Sequence, residues 1–233
     1  MYDSSDVKKL ASLHGAEACG IAGIDRFADA PEGFTPASIY ERCRSVIVFL
    51  RAMPGEIIMA ANPIPYTRAA GLIYAELDRI GLVLCRKLES AGMRAVPVPA
   101  DVPYIHWNAA KSQGKGILSL RHAAVNAGLG ILGRNTLLIN PSLGNMAYIG
   151  AVLTDAALEP DPLIADLACP PNCRLCLDAC PQGALDGTTV DQALCRKISF
   201  IKAGRGFDLY NCSKCRQVCP YRLGIPAATS PQK

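Results

Sequence analysis

The feature that most constrains this chain is a cysteine run written twice. Cys173-x2-Cys176-x3-Cys180-Pro181 and Cys212-x2-Cys215-x3-Cys219-Pro220 share one spacing, and Cys169 and Cys195 can each supply a fourth thiol. These eight cysteines fall within 51 residues of a 233-residue chain. Three thiolates in one tight turn reach three corners of an iron–sulfur cubane, and a fourth arrives from a distance. Zinc ribbons use isolated C-x2-C pairs instead of triplets closed by Cys-Pro. A disulfide framework wants an even count and an oxidising compartment. The eight ligands therefore match two [4Fe-4S] clusters, with one irregularity: three residues separate Cys169 from Cys173, where the bacterial run has two.

In the two-cluster run of bacterial ferredoxins, the cysteine before proline ligates the other cluster. Carried onto this chain, one cluster takes Cys169, Cys173, Cys176 and Cys219, and the other takes Cys180, Cys195, Cys212 and Cys215. Charge follows the same division. Residues 169–233 hold nine Lys/Arg and four Asp, net +5, whereas residues 1–168 hold fifteen Lys/Arg and sixteen Asp/Glu, net −1. Each all-thiolate cubane in its oxidised form contributes about −2, so the basic excess reads as compensation for bound clusters and not as a nucleic-acid footprint.

The rest of the chain is half apolar and long enough to bury a core of its own. Its longest strongly apolar run, around Val46–Leu50, is far short of the roughly 20 residues a membrane span needs. The N-terminus is acidic and polar where a secretory signal would be basic and then apolar, so a cytoplasmic protein with no membrane partner is expected. Ser5-Asp6 predicts the cap of a first helix with Val7, Leu10, Ala11 and Leu13 on one face and Gly15 as its stop. Strands are expected at 18–22, 45–51 and 94–98, with a helix entry at Thr35-Pro36. A surface loop should cover 52–65, and an amphipathic helix 66–91 should bury Leu72, Ile73, Leu77, Ile80, Leu84 and Leu88.

A Pro/Gly-rich loop to Gly116 carries Tyr104, His106 and Trp107, long enough to suspect ligand binding. Ser119 caps a helix to Ala127. Strands 136–140 and 146–154 are expected to pair as a hairpin, and residues 156–168 read as a linker. Helices and antiparallel strands in one layer point to an α+β domain. The expected division is 1–160 and 161–233. Gly128-x-Gly130-x-x-Gly133 follows a helix and precedes a strand, the reverse of a dinucleotide site, and reads as a tight connection. Cys19, Cys43 and Cys85 read as small buried hydrophobes, and His14 as a helix-end residue.

Residues 127–141 (AGLGILGRNTLLINP), Gly144, 152–155 (VLTD) and 179–185 (ACPQGAL), together with 20–22, 31–33, 45–48 and 96–100, resemble epoxyqueuosine reductases and their short iron–sulfur relatives. The resemblance implies a nitroreductase-like N-terminal domain that cradles cobalamin and a small, mostly helical, ferredoxin-like domain that feeds it electrons. It carries over Asn135 and Gly144 as cofactor-pocket positions, with Arg121 and Asp155 as neighbouring polar groups and His122 as the catalytic candidate. The family places a proton-donating aspartate about fourteen residues before the first glycine of the turn, where this chain has Gly114. Its members also continue into a helical-repeat region that helps hold tRNA, whereas this sequence runs fourteen residues past Cys219.

The expected function is therefore an oxidoreductase that passes low-potential electrons from two clusters to a cobalamin, or less favourably a flavin, with ferredoxin or flavodoxin as donor and tRNA not expected as a partner. The alternative is an electron-transfer or reductive-activation partner of a separate corrinoid protein, with no substrate chemistry of its own.

Overall fold

A computed structural model describes residues 2–103 and 105–226; Tyr104 and the last seven residues of the expected second domain lie outside it. The first helix, α1 (Ser4–Leu13), is capped two residues before Ser5: the Asp3 carboxylate accepts the Asp6 N–H, and the Asp6 carboxylate accepts the Asp3 N–H. That reciprocal pair satisfies two helix-end donors that Ser5 could not reach. Val7 and Ala11 are buried, but Leu13 points to solvent. β1 (Ala18–Gly23) and the single turn α2 (Pro36–Ile39), capped by Thr35, lead into β2 (Ser45–Ala52).

The long helix α3 (Pro63–Ser90) begins three residues before the expected start, because Asn62 caps it and Pro63 occupies its first turn. Its buried face is Ala70, Ile73, Leu77, Ile80, Leu84 and Leu88, while Leu72 lies outside that stripe, exposed. After β3 (Ala95–Val98) the expected ligand loop contains a small hairpin, β4 (His106–Asn108) and β5 (Gln113–Lys115). α4 (Leu120–Asn126) follows, then β6 (Ile131–Leu132), β7 (Leu138–Ile139) and β8 (Ala147–Thr154).

The main sheet is antiparallel in the order β1–β2–β8–β3. Both of its faces are covered, which is why β2 and β8 read as nearly continuous apolar runs. Ile47, Phe49, Tyr148 and Val152 face α1 and α3, and Val46, Val48, Leu50, Ala147, Ile149 and Leu153 face α4. The expected hairpin of 136–140 with 146–154 does not form. β7 pairs with β6 inside the glycine turn, and only the Asn140–Gly144 bridge links 140 forward, while β8 pairs with β2 and β3. The cause is Gly130, at φ +154, where a Cβ would stand 2.2 Å from the Ile139 carbonyl oxygen. The bare backbone lets β7 fold back on β6. Gly128-x-Gly130-x-x-Gly133 is thus a packing turn.

The segment after β8 is tied to the first layer. Leu158 is buried, the Ile21 N–H donates to Asp161 Oδ2 at 2.9 Å, and Lys8 Nζ meets Asp161 Oδ1 at 2.6 Å. Beyond it come α5 (Leu175–Asp178), α6 (Gln192–Ser199), a hairpin of β9 (Phe200–Lys202) and β10 (Asp208–Tyr210), and α7 (Lys214–Gln217). The regular structure of the tail is thus three short helices, as expected, with one small hairpin beside them. α5 and α7 start two residues after Cys173 and Cys212 respectively, so the repeated spacing is a repeated structure. Cys180 N–H to Leu177 O matches Cys219 N–H to Arg216 O, and Gly183 N–H to Cys180 O matches Arg222 N–H to Cys219 O. No helix among the described residues is long and apolar enough to cross a membrane.

Candidate functional site

The eight cysteines of the repeated run separate into two groups of four, and the groups cross the two runs. Cys169, Cys173, Cys176 and Cys219 line one cavity, together with Arg134, Asn135 and Tyr221. Cys180, Cys195, Cys212 and Cys215 line a second, of about 360 Å³. Each set is the one the proline-side exchange predicts, and Cys169 stands with its set despite the longer gap. Among the described residues no three Cys, His, Asp or Glu side chains converge as they would on a single metal ion. Each set of four thiols lines a cavity of its own, in keeping with one four-thiolate cluster per set.

Backbone amides point at the sulfurs: Arg134 N–H to Cys169 Sγ at 3.5 Å, and Ala184 N–H to Cys180 Sγ at 3.3 Å. Such N–H···S contacts tune a cluster's potential. The remaining thiols line neither cysteine cavity. Burial pushes Cys19 up to about 12 and Cys43 and Cys85 up to about 11, which leaves them protonated and unreactive at neutral pH.

A larger cavity of about 710 Å³ opens between α4, the edge of β8 and the 98–118 segment. That size lies within the roughly 300–1,000 Å³ typical of small-molecule and cofactor sites. Apolar Val98, Leu137, Leu138, Ala147 and Ile149 form much of its wall, with the aromatic pair Tyr74 and Tyr148 packed edge to face at 5.2 Å. The second cysteine cavity adjoins it, since Gly114, Gly116, Arg121, Leu137, Gln192 and Phe200 line both.

Of the candidates read from sequence, His122 and Arg121 line the large cavity. His122 Nδ1 lies 2.6 Å from the Ser119 hydroxyl, and burial plus the neighbouring Arg121 charge hold its ring below the usual histidine range. It is neutral at pH 7. The Ser119 hydroxyl donates to Nδ1 when the ring proton is on Nε2 and accepts from it when the proton is on Nδ1. Arg121 donates to the Thr136 carbonyl at 2.5 Å and to its hydroxyl at 3.1 Å.

Asn135, Gly144 and Asp155 stand elsewhere. Asn135 is buried between the two cysteine cavities and donates from Nδ2 to the Cys215 carbonyl at 3.2 Å. Gly144, at φ +61, lies where a Cβ would come within 2.2 Å of the Arg222 carbonyl oxygen. Both seat the tail on the first layer. Asp155 closes the β3–β8 pairing, its carboxylate accepting the Arg94 N–H at 2.8 Å.

Gly114, where the resemblance would place a carboxylic acid, offers no side chain, and its peptide is engaged. Its N–H donates to Gln192 Oε1 at 3.1 Å, and its carbonyl accepts from Gln192 Nε2 at 3.2 Å. α6, which carries Cys195, thereby pins the wall of the large cavity. Arg196 adds to this by lying over the Trp107 ring at 5.1 Å and the Phe200 ring at 5.2 Å. Sequence reading missed Gln192, the two tyrosines and Arg216. Arg216 lines the large cavity, donates to the Asn145 carbonyl and stacks over Tyr148 at 5.1 Å.

No family model matches the chain. A curated epoxyqueuosine reductase of Staphylococcus aureus is 39% identical over 122 residues, 47% of this chain and 31% of that protein. The chain thus aligns with about a third of the length of such relatives. The epoxyqueuosine reductase of Streptococcus thermophilus superposes with a TM-score of 0.69 at 21% identity, covering 97% of this chain and 67% of that one. Another epoxyqueuosine reductase, solved with an epoxyqueuosine-modified tRNA stem loop, gives 0.66 at 20% identity over 94% of this chain and 64% of that one. The expectation that tRNA is not a partner therefore has no support. A reductive dehalogenase whose structure suggests a mechanism for B12-dependent dehalogenation gives 0.65 at 21% identity, over 93% of this chain and 31% of that one. Sequence over about half the chain and fold over nearly all of it agree with the motifs: the chain is similar to epoxyqueuosine reductases, and its architecture is mixed α/β.

Proposed function

We propose that the chain is an iron–sulfur reductase in which two [4Fe-4S] clusters deliver electrons to a cobalamin held in the large cavity beside a substrate. One observation carries the reading: the cavity lined by Cys180, Cys195, Cys212 and Cys215 shares its wall with the large cavity, while Cys169, Cys173, Cys176 and Cys219 line a separate one. The similar structures named above, among them a reductive dehalogenase with a suggested mechanism of B12-dependent dehalogenation, support the choice of cofactor.

Residues 1–160 would form the cofactor domain and 161–233 the cluster domain. Cobalamin, when bound, supplies a metal centre that accepts the clusters' electrons and hands them to the substrate. The chain's own part is to seat the macrocycle against Val98, Leu137, Leu138 and Ala147, exclude water with those apolar walls, and hold the His122 ring in the cavity. His122, neutral there, would offer a hydrogen bond to the ligand, and the proton that a side chain at Gly114 does not supply would have to come from solvent or from the substrate.

The test is anaerobic purification with iron, sulfide and corrinoid analysis. About eight irons and eight sulfides per chain, with saturable uptake of hydroxocobalamin, is the expected result. Zinc in place of iron overturns the cluster assignment. A chain with full clusters that takes up no corrinoid overturns the cobalamin reading. It would favour instead a partner that reduces a separate corrinoid protein, the role to which the bare Gly114 is suited.

A further inference from the structure

Lys115, Arg121 and Arg216 bring three positive charges to the lining of the large cavity, against the one carboxylate of Asp101. Arg121 reaches it from α4 and Arg216 from α7. Their hydrogen bonds run to backbone carbonyls and one hydroxyl, through a single terminal nitrogen of each guanidinium. Neither makes an ion pair with a carboxylate among the described residues. They are close enough that the Arg216 charge, after burial, pushes Arg121 below its usual range.

Two like charges in a partly desolvated, largely apolar cavity repel each other, and a guanidinium has five donors to place. A carboxylate or phosphate between them turns that repulsion into charge-assisted, bidentate binding. Neutralisation of the neighbouring cluster is the competing explanation, and the attraction between Arg216 and Cys215 agrees with it, but it leaves the large-cavity face of Arg216 unexplained. Although it follows Cys215 in sequence, Arg216 lines the large cavity and not the one formed by Cys180, Cys195, Cys212 and Cys215.

We propose that Arg121 and Arg216 form an anion subsite in the large cavity that seats a carboxylate or phosphate group of its ligand. The subsite rests on the reading of that cavity as the ligand site, and it narrows the ligand class to anions. The anionic group could belong to the substrate or to the phosphodiester of the cofactor, and the test separates these sources.

The experiment uses full-length protein purified anaerobically, with iron measured on every sample, and titrates inorganic phosphate and benzoate by calorimetry at low ionic strength. Saturable binding is expected, weakened tenfold or more in Arg121→Gln and in Arg216→Gln, and partly restored in Arg216→Lys. Lys202→Gln, at the exposed ion pair with Asp208, removes the same charge and should bind as the parent does. Displacement of phosphate by added hydroxocobalamin assigns the subsite to the cofactor's phosphodiester. Simultaneous binding assigns it to the substrate, and either result supports the proposal. Absence of saturable binding in a chain carrying full iron, or equal loss in all the glutamine variants, overturns it. A chain without iron overturns the cluster reading alone, and its phosphate titration still decides the subsite.

Discussion

The two halves of the molecule are held together by different physics. The first half has a sheet covered on both faces, with Ile21, Ile47, Phe49, Leu50, Leu84 and Leu153 at or near zero exposure. Beyond residue 168, the buried apolar residues among those described are Cys176 and Ala184. The longest helix there has eight residues, and none of its residues is buried. A segment with so little apolar burial cannot offset its own chain entropy. Small domains of this kind are commonly held by metal. The first half would thus fold on its sequence alone, whereas the second needs its ligands occupied.

The largest effect expected from this contrast is on the tail. Stripping iron with an oxidant and a chelator should abolish hydrogen-exchange protection across 169–226 and leave β2 and β8 protected. If protection in α6 and β9–β10 survived without iron, the tail would be self-supporting and the contrast would fail.

The second prediction sharpens the contrast inside the tail, using paired variants. Cys176→Ser with Cys219→Ser should remove only one cluster, because both residues serve the same one, leaving about four irons of eight. Cys176→Ser with Cys180→Ser, two neighbours in one run, should remove both. Clusters confined to their own runs would give the reverse pattern, so iron analysis of two proteins decides the assignment.

Legibility in the sequence follows the same contrast. The cysteine sets were readable because metal chemistry fixes the spacing of its ligands whatever surrounds them. α3 was readable because one-sided burial imposes a period, and β1 and β2 because burial on both faces leaves a short continuous apolar run. β6 was not, since a two-residue strand has no period to show; β7 was expected as a strand, but its pairing with β6 rests on the close approach of Gly130 to Ile139, a tertiary fact. Asn135 and Gly144 illustrate a different loss. A motif marks a position as constrained without saying whether it faces a ligand or another part of the chain, and here both support the tail. Arg216 was hidden by its neighbours: beside Cys215 it counts as one more compensating charge until its direction is known.

A core variant probes the first half. Phe49 is buried at 1% exposure in the middle of β2, packed among α3 and β8 side chains. Phe49→Ala should cost about 3–5 kcal/mol by transfer and cavity terms, read as a lowered denaturation midpoint for the sheet. Iron content of the native fraction should stay at the parent value. Loss of iron in step with stability would mean that the halves unfold as one unit.

The smallest effect comes from His122, and its sign is fixed by the environment. Burial and the Arg121 charge hold the ring below its ordinary value of 6.5, so the folded chain resists protonation while the unfolded chain accepts a proton near 6.5. The stability due to the neutral ring is therefore complete above that value and declines as pH falls through 6.5 toward the lower folded value, because the unfolded state then binds more protons. His122→Gln keeps a hydrogen-bonding side chain beside Ser119 and has no charge to gain. Its denaturation midpoint should fall less than the parent's between pH 7 and pH 5.5, and the two proteins should differ in slope and not only in offset. Parallel slopes would show that His122 titrates alike in the folded and unfolded chain. The large cavity would then be too open to bias the ring, and the assignment of a neutral ring at His122 would lose its physical basis.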